Sequence, residues 1–513
     1  MWRCRVFLVT LAAVMVTAGC STDPHRTDDP SPHRPLLSPP ADELTVVTGE
    51  SATDQALEVS RALYERTPVV VLAGADEPAH HEEAAGAAVG LGVPLLLTSA
   101  TDPAHTAVRE ELGRLGTEVV LTVGDAATTW ARALDGEMGV VPAGPASTAR
   151  PAALSTSPAV DLPELPPVEP AEPLGSVTVL TTGEAGATAA TATARAAGAR
   201  VLVTDGTDPR ADPDLISALV DQPPTHTIAL GAAFGPADRL RARLAVAGTG
   251  VHLPGGGQVL FPGRRLVALY GHPGDTGLGS LGEQPLGDAI SRAQRVAASY
   301  QDLVDEPVVP AMEIITTVAS AGPGPEGDYS RRTPVETLRP WIDAAREAGV
   351  YVVLDLQPGH TDFLTQAKEY EELLVEPHVG LALDPEWRLA PGQRHMVQIG
   401  SVNTDEVNQV VEWLADLTAA HRLPQKLLIL HQFTLSMIGD RAALDTDRDE
   451  LAIMIHADGF GTPGQKLETW RALHRDAPRV WWGWKNFYDE DRPTFSPAET
   501  VAIDPSPRFI SYQ

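Results

Sequence analysis

The sequence predicts an α/β chain in which repeated doubly wound units precede a C-terminal (β/α)8-like barrel. The first observation is a series of short apolar runs at 266–270, 308–312, 351–354, 379–383, 427–430, 451–455 and 480–484, nearly all ending in polar residues. The second is that helical patterns separate these runs, at 286–303, 334–348, 363–374, 404–421 and 465–474. Parallel strands with polar exits at one face are what a closed barrel requires, and six to eight such units in about 250 residues match its size. The third is a strand–helix alternation that starts at residue 41, reaches about 134 and then returns. A chain of 513 residues is also too long for a single core. An open doubly wound sheet is the alternative for the C-terminal half, and the polar exits favour the barrel. One stretch is irregular: 387–396 leaves no room for a helix, so 396–402 reads as an aberrant strand or part of a long loop.

Taken in order, the chain begins with Arg3 and Arg5, an uncharged run over 6–16, and Thr17-Ala-Gly-Cys20. The charge, the apolar core and the small-residue cut site predict a signal peptide over 1–19. The Ala-Gly-Cys ending resembles a bacterial lipobox, which implies that Cys20 is lipidated and anchors the protein to the outer face of the cell membrane. An ordinary secreted protein with an incidental Cys20 is the other reading. Cys4 falls in the cleaved segment, so no disulfide framework or cysteine metal site is open to the mature chain. Residues 20–40 are rich in Pro, Asp, Ser and His and read as a disordered tether. A net charge of -30 and a pI near 4.8 argue against a nucleic-acid partner or an anionic membrane surface, since both would repel the chain.

Residues 41–258 form the second part. Val69-Val-Val-Leu-Ala-Gly, an Ala-rich helix, Val93-Pro-Leu-Leu-Leu-Thr98, another helix and Val119-Val-Leu-Thr-Val-Gly124 are echoed after residue 176. The echo reads Val177-Thr-Val-Leu-Thr-Thr-Gly, an Ala-rich helix over 189–199, Arg200-Val-Leu-Val-Thr204, a helix over 215–220 and Thr227-Ile-Ala-Leu-Gly231. These residues resemble the bacterial cell-wall-binding type 2 repeats, and the resemblance implies wall binding by this half; a spacer is the plainer alternative. Between the copies, 141–176 is dense in Pro, Ala and Ser and reads as a semi-rigid linker. Gly255-Gly-Gly257 marks the boundary before the barrel at 259–513 and lacks the Lys-Ser/Thr of a phosphate-binding loop.

The strand exits of the barrel carry the candidate chemistry. Asp355, Asp384, Glu386, Asp458 and Glu313 can converge there, and glycosidic cleavage needs two such carboxyl groups, one protonated to assist the leaving oxygen. Glu386 is the candidate acid, with Asp384, Asp355 and Asp458 as its candidate catalytic partners. Tyr270, Trp387, Phe433, Phe460, Trp482, Trp484 and Tyr488 offer flat faces for sugar rings. His272, Glu313, His431, Gln432 and Lys485 complete the candidate substrate-binding set. Plainer roles compete with these. Asp384-Pro385 can be a turn cap, Asp355 a rim anchor, Asp458 a fixer of its Gly-rich loop and Lys485 an ion-pair partner. His272, His360, His431 and His456, with Asp355 or Asp458, could instead hold a water-activating metal, but no metal-binding spacing is present and no metal or cofactor is assigned. In architecture this half resembles the barrel glycoside hydrolases. The resulting expectation is an exported lipoprotein that hydrolyses or binds a cell-wall or envelope polysaccharide. The alternatives are a non-catalytic wall-binding or scaffolding lipoprotein and a metal-dependent barrel hydrolase or deacetylase.

Overall fold

A computed structural model describes residues 34–99, 102–134, 138–143 and 165–513. The signal peptide, Cys20, the tether up to residue 33 and linker residues 144–164 lie outside the described residues. Among the described residues no helix is long and apolar enough to cross a membrane.

The N-terminal half is built from β1 (Leu44–Val47), α1 (Ala52–Leu63), β2 (Val69–Gly74), α2 (His81–Leu91), β3 (Leu95–Thr98), α3 (Asp102–Leu115), β4 (Val119–Val123), α4 (Asp125–Arg132) and β5 (Gly139–Pro142). It continues with β6 (Val177–Thr181), α5 (Thr188–Ala196), β7 (Arg200–Val203), α6 (Pro213–Asp221), β8 (His226–Leu230) and α7 (Ala237–Ala247). The inner strands are short continuous apolar runs because helices cover both faces of a parallel sheet, while the edge strands β5 and β7 are only partly buried. They form two four-stranded parallel sheets, ordered β3-β2-β4-β5 and β7-β6-β8-β1. The first strand of the half therefore pairs in the second sheet. One apolar core joins the two sheets through Leu57, Val59 and Leu63 of α1 and Ala190 and Ala194 of α5, and a second packs Ala189 and Ala192 of α5 against Val69, Val71 and Leu95 of the first sheet. The small side chains of α5 bring its backbone close to the other sheet, where Thr193 Oγ1 accepts from the Leu95 N–H at 3.0 Å and donates to the Leu95 carbonyl at 3.1 Å.

The C-terminal half runs β9 (Arg265–Gly271), α8 (Leu286–Gln301), β10 (Val308–Ala319), α9 (Val335–Ala348), β11 (Tyr351–Leu356), α10 (Phe363–Glu369), α11 (Glu371–Leu374) and β12 (Val379–Leu383). After them come α12 (Thr404–Ala420), β13 (Lys426–Gln432), β14 (Leu451–Ala457), α13 (Pro463–His474), β15 (Trp481–Asn486), α14 (Pro497–Val501) and β16 (Phe509–Tyr512). The eight strands are all parallel, each beside the next in sequence, and β16 pairs with β9 to close the barrel. Seven of the eight correspond to the predicted runs, while β16 has no counterpart among them. Residues 396–402 belong to a loop after β12 that ends in a two-residue strand at Val402–Asn403, so the aberrant barrel strand does not form. Leu253, Leu260 and Phe261 pack against the interior residues Leu266, Val309, Tyr351 and Phe509, closing the end of the barrel opposite the strand exits. Next to this plug, Asp449 accepts hydrogen bonds from Arg210 at 2.8 Å and from Arg243 at 2.6 and 2.7 Å, tying the second sheet unit to the barrel.

Candidate functional site

The two-residue period of the strands decides which side chains reach the barrel mouth. The interior core takes Leu266 and Ala268 from β9, Val309 and Ala311 from β10, Tyr351 and Val353 from β11, Ala382 from β12, Leu427 and Ile429 from β13, and Ala452 and Met454 from β14. Two residues further along each strand stand Tyr270, Glu313, Asp355, Asp384, His431 and His456. By the same count Lys485 follows Trp481 and Gly483 on β15, and Ser511 follows Phe509 on β16. All eight are buried. Position 483 has to be small, because a Cβ there would come within 2.8 Å of the His456 ring.

His431 is the centre of the group. Its Nδ1 lies 2.9 Å from Asp458 Oδ2, its Nε2 lies 2.9 Å from Glu313 Oε1, and Asp355 Oδ1 is 3.9 Å from the same Nε2. Burial alone would lower the His431 pKa, but the carboxylates of Glu313 and Asp458 hold it well above the usual histidine value. The relation is reciprocal at Asp458: burial would raise its pKa, and the hydrogen bond and charge of His431 hold it below the usual carboxylate value. Burial, with the nearby positive charge of His431, keeps His456 neutral by pushing its pKa well down. The Tyr270 hydroxyl donates to Asp355 Oδ2 at 2.9 Å, and Lys485 Nζ lies 3.3 Å from the centre of the Tyr270 ring, a cation over an aromatic face. Burial and the Glu313 charge outweigh His431 and Lys485 and move Asp355 up to about 6.

Glu386 is delivered by a different device. Asp384 Oδ1 accepts from the Glu386 N–H at 3.1 Å and caps the short turn Pro385–Trp387, as the turn reading of Asp384-Pro385 expects. The Glu386 carbonyl accepts from the Gly400 N–H at 2.7 Å, where a Cβ would come within 2.5 Å of the carbonyl oxygens of Arg388 and Glu386, so only glycine lets the loop return this closely. Arg388 grips Glu406 of α12 at 2.9 and 3.1 Å, and Trp387 stacks on His395 with ring centres 4.9 Å apart. The loop so braced holds the half-buried Glu386 over the mouth. Burial first, and then the charge of Asp458, raise its pKa to about 7. Asp384 goes well above the usual range for the same primary reason, with the charges of Asp355, Asp458 and Glu386 added.

The mouth thus gathers Glu386, Asp384, Asp355, Asp458, Glu313, His431, Lys485 and Tyr270 from the residues expected there. It does not gather Gln432, Trp482 or Trp484, which have the opposite strand parity and face the surrounding helices. Gln432 accepts from Arg441 at 3.3 Å, Trp482 stacks on His474 of α13 at 3.6 Å, and the Trp484 indole N–H donates to Asn486 at 2.9 Å. These tryptophans build core and offer no platform to a ligand. His272 lies at the rim, hydrogen-bonded to Thr333 at 3.0 Å. Phe460 and Tyr488 are exposed, and Phe433 packs on the apolar core. Ser511, 3.3 Å from His456 Nε2, is a member of the group that the sequence reading missed; its signal was the alternation in Phe509-Ile-Ser-Tyr512.

No protein-family model, no curated protein and no solved structure matches this chain.

Proposed function

We propose that the barrel hydrolyses a glycosidic bond of an envelope polysaccharide, with Glu386 as the proton donor and Asp458 as the opposing carboxylate. The observation that carries this reading is two carboxyl groups brought to one mouth: Glu386, held over it by the turn that Asp384 caps and with its pKa raised to about 7, and Asp458, kept ionised by His431 at 2.9 Å. Two carboxyl groups pushed apart in this way are what acid-assisted cleavage with a nucleophile or base requires. The stacked Trp387 and the exposed Phe460 and Tyr488 supply ring faces near the strand exits for a sugar chain. The reading is tested by whether the protein releases new reducing ends from wall or capsular polysaccharide.

The remaining parts fit export and attachment. The shared order of the two N-terminal sheets, with β1 standing where β5 stands in the other, supports a tandem pair of wall-binding units. The Ala-Gly-Cys20 ending supports a lipid anchor at the outer face of the membrane. Replacing Cys20 by Ala is expected to move the protein from the membrane fraction to the soluble fraction without changing its unfolding; a variant that stays with membranes after a high-salt wash contradicts the anchor.

A further inference from the structure

The floor of the mouth contains a set of donors of which the glycan reading uses only His431, and that only through its Nδ1 contact with Asp458. Glu313 on β10, His431 on β13 and His456 on β14 are wholly buried, and each offers a ligand atom such that these atoms lie within 4.8 Å of one another. His431 and His456 stand directly opposite each other in the β13–β14 register. We propose that Glu313, His431 and His456 bind a divalent transition-metal ion, with Asp355 as a further ligand.

Two independent features favour an ion over a purely structural cluster. The first is the orphaned atoms. Among the described residues Glu313 Oε2, Asp355 Oδ1 and His456 Nδ1 are buried without a hydrogen-bond partner, and polar atoms left so are costly unless something else satisfies them. The second is the outer layer. His431 presents one ring nitrogen to the group and the other to Asp458 at 2.9 Å, and His456 has Ser511 at 3.3 Å on Nε2. Metal-binding histidines are oriented in this way, by a carboxylate or other acceptor on the far nitrogen. An ion between His431 Nε2 and Glu313 Oε1 would replace the proton that joins them. Two imidazoles and one or two carboxylates suit zinc, manganese or iron(II) better than calcium or magnesium. Around the ligands the mouth places the further carboxyl groups of Asp384, Glu386 and Asp458, and an ion that displaces the His431–Glu313 proton adds little net charge, so it is accommodated.

The inference does not depend on which bond is cut, and its test uses no substrate. The full chain, stripped with a chelator and dialysed, is titrated with zinc by calorimetry and with cobalt(II) by visible absorption. One equivalent of each bound at micromolar concentration or below, with a rise in melting temperature, is the expected result. Asp458→Asn keeps the shape of the outer layer and is expected to weaken the ion by about 10–100-fold. Glu313→Gln and His456→Gln, checked for folding by circular dichroism, are expected to weaken it further. A folded wild type that takes up neither ion at millimolar concentration overturns the proposal. Binding that is unchanged in folded Glu313→Gln and His456→Gln also overturns it, because the ion then sits elsewhere.

Discussion

Replacing Glu386 by Gln is expected to lower turnover of a wall or capsular polysaccharide by about 10²–10⁴-fold, the range that general acid catalysis supplies. Glutamine keeps the size and hydrogen bonding of the side chain and removes the proton that the leaving oxygen needs. Binding of the same glycan should survive, because Trp387 and its stack on His395 are untouched. The pH dependence has a definite sign. As the proposed proton donor Glu386 is needed in its protonated form, and its pKa is raised to about 7, so the wild-type rate should fall as pH rises through 7. The Gln variant should lack that limb. Equal activity in the two proteins would remove Glu386 from the mechanism and direct attention to Asp355 and Asp458.

Replacing His431 by Leu should destabilise the barrel by about 3–5 kcal/mol, the cost of breaking a buried charged pair by removing one partner. The imidazole bridges Glu313 and Asp458 at 2.9 Å on each side, and all three side chains are buried. Leucine fills the space but leaves two carboxylates facing an apolar group. The midpoint of denaturant unfolding, followed through the tryptophans packed on α13, reads this directly. An unchanged midpoint would show that the carboxylates are neutralised by something other than His431.

The barrel was legible because seven of its strands are apolar runs with a polar residue next in the inward register, and because helices of ordinary length separate them. The eighth was not. Phe509–Tyr512 is four residues long, follows Pro505-Ser-Pro507 and carries an inward serine, so its apolar content is too small to stand out. The gathering at the mouth was legible at Glu313, Asp355, Asp384, Glu386, His431, Asp458 and Lys485, where a polar residue follows an apolar run. It was misread at Trp482 and Trp484 because nearness to a strand exit says nothing of parity, and a shift of one residue turns a side chain from the mouth to the helix layer. The pairing of β1 with the second sheet was also beyond reach, since it joins residues far apart in the chain through edge hydrogen bonds that leave no local pattern.

The proposed cleavage of a glycosidic bond at the barrel mouth is measured directly by the release of reducing ends when the full chain is incubated with purified wall and capsular polysaccharides. Reducing ends are expected to accumulate with time for at least one of these polymers, and the wild-type rate is expected to decline above pH 7. A protein that binds these glycans and releases no reducing ends, with or without added zinc, would contradict it and leave the barrel as a binding module.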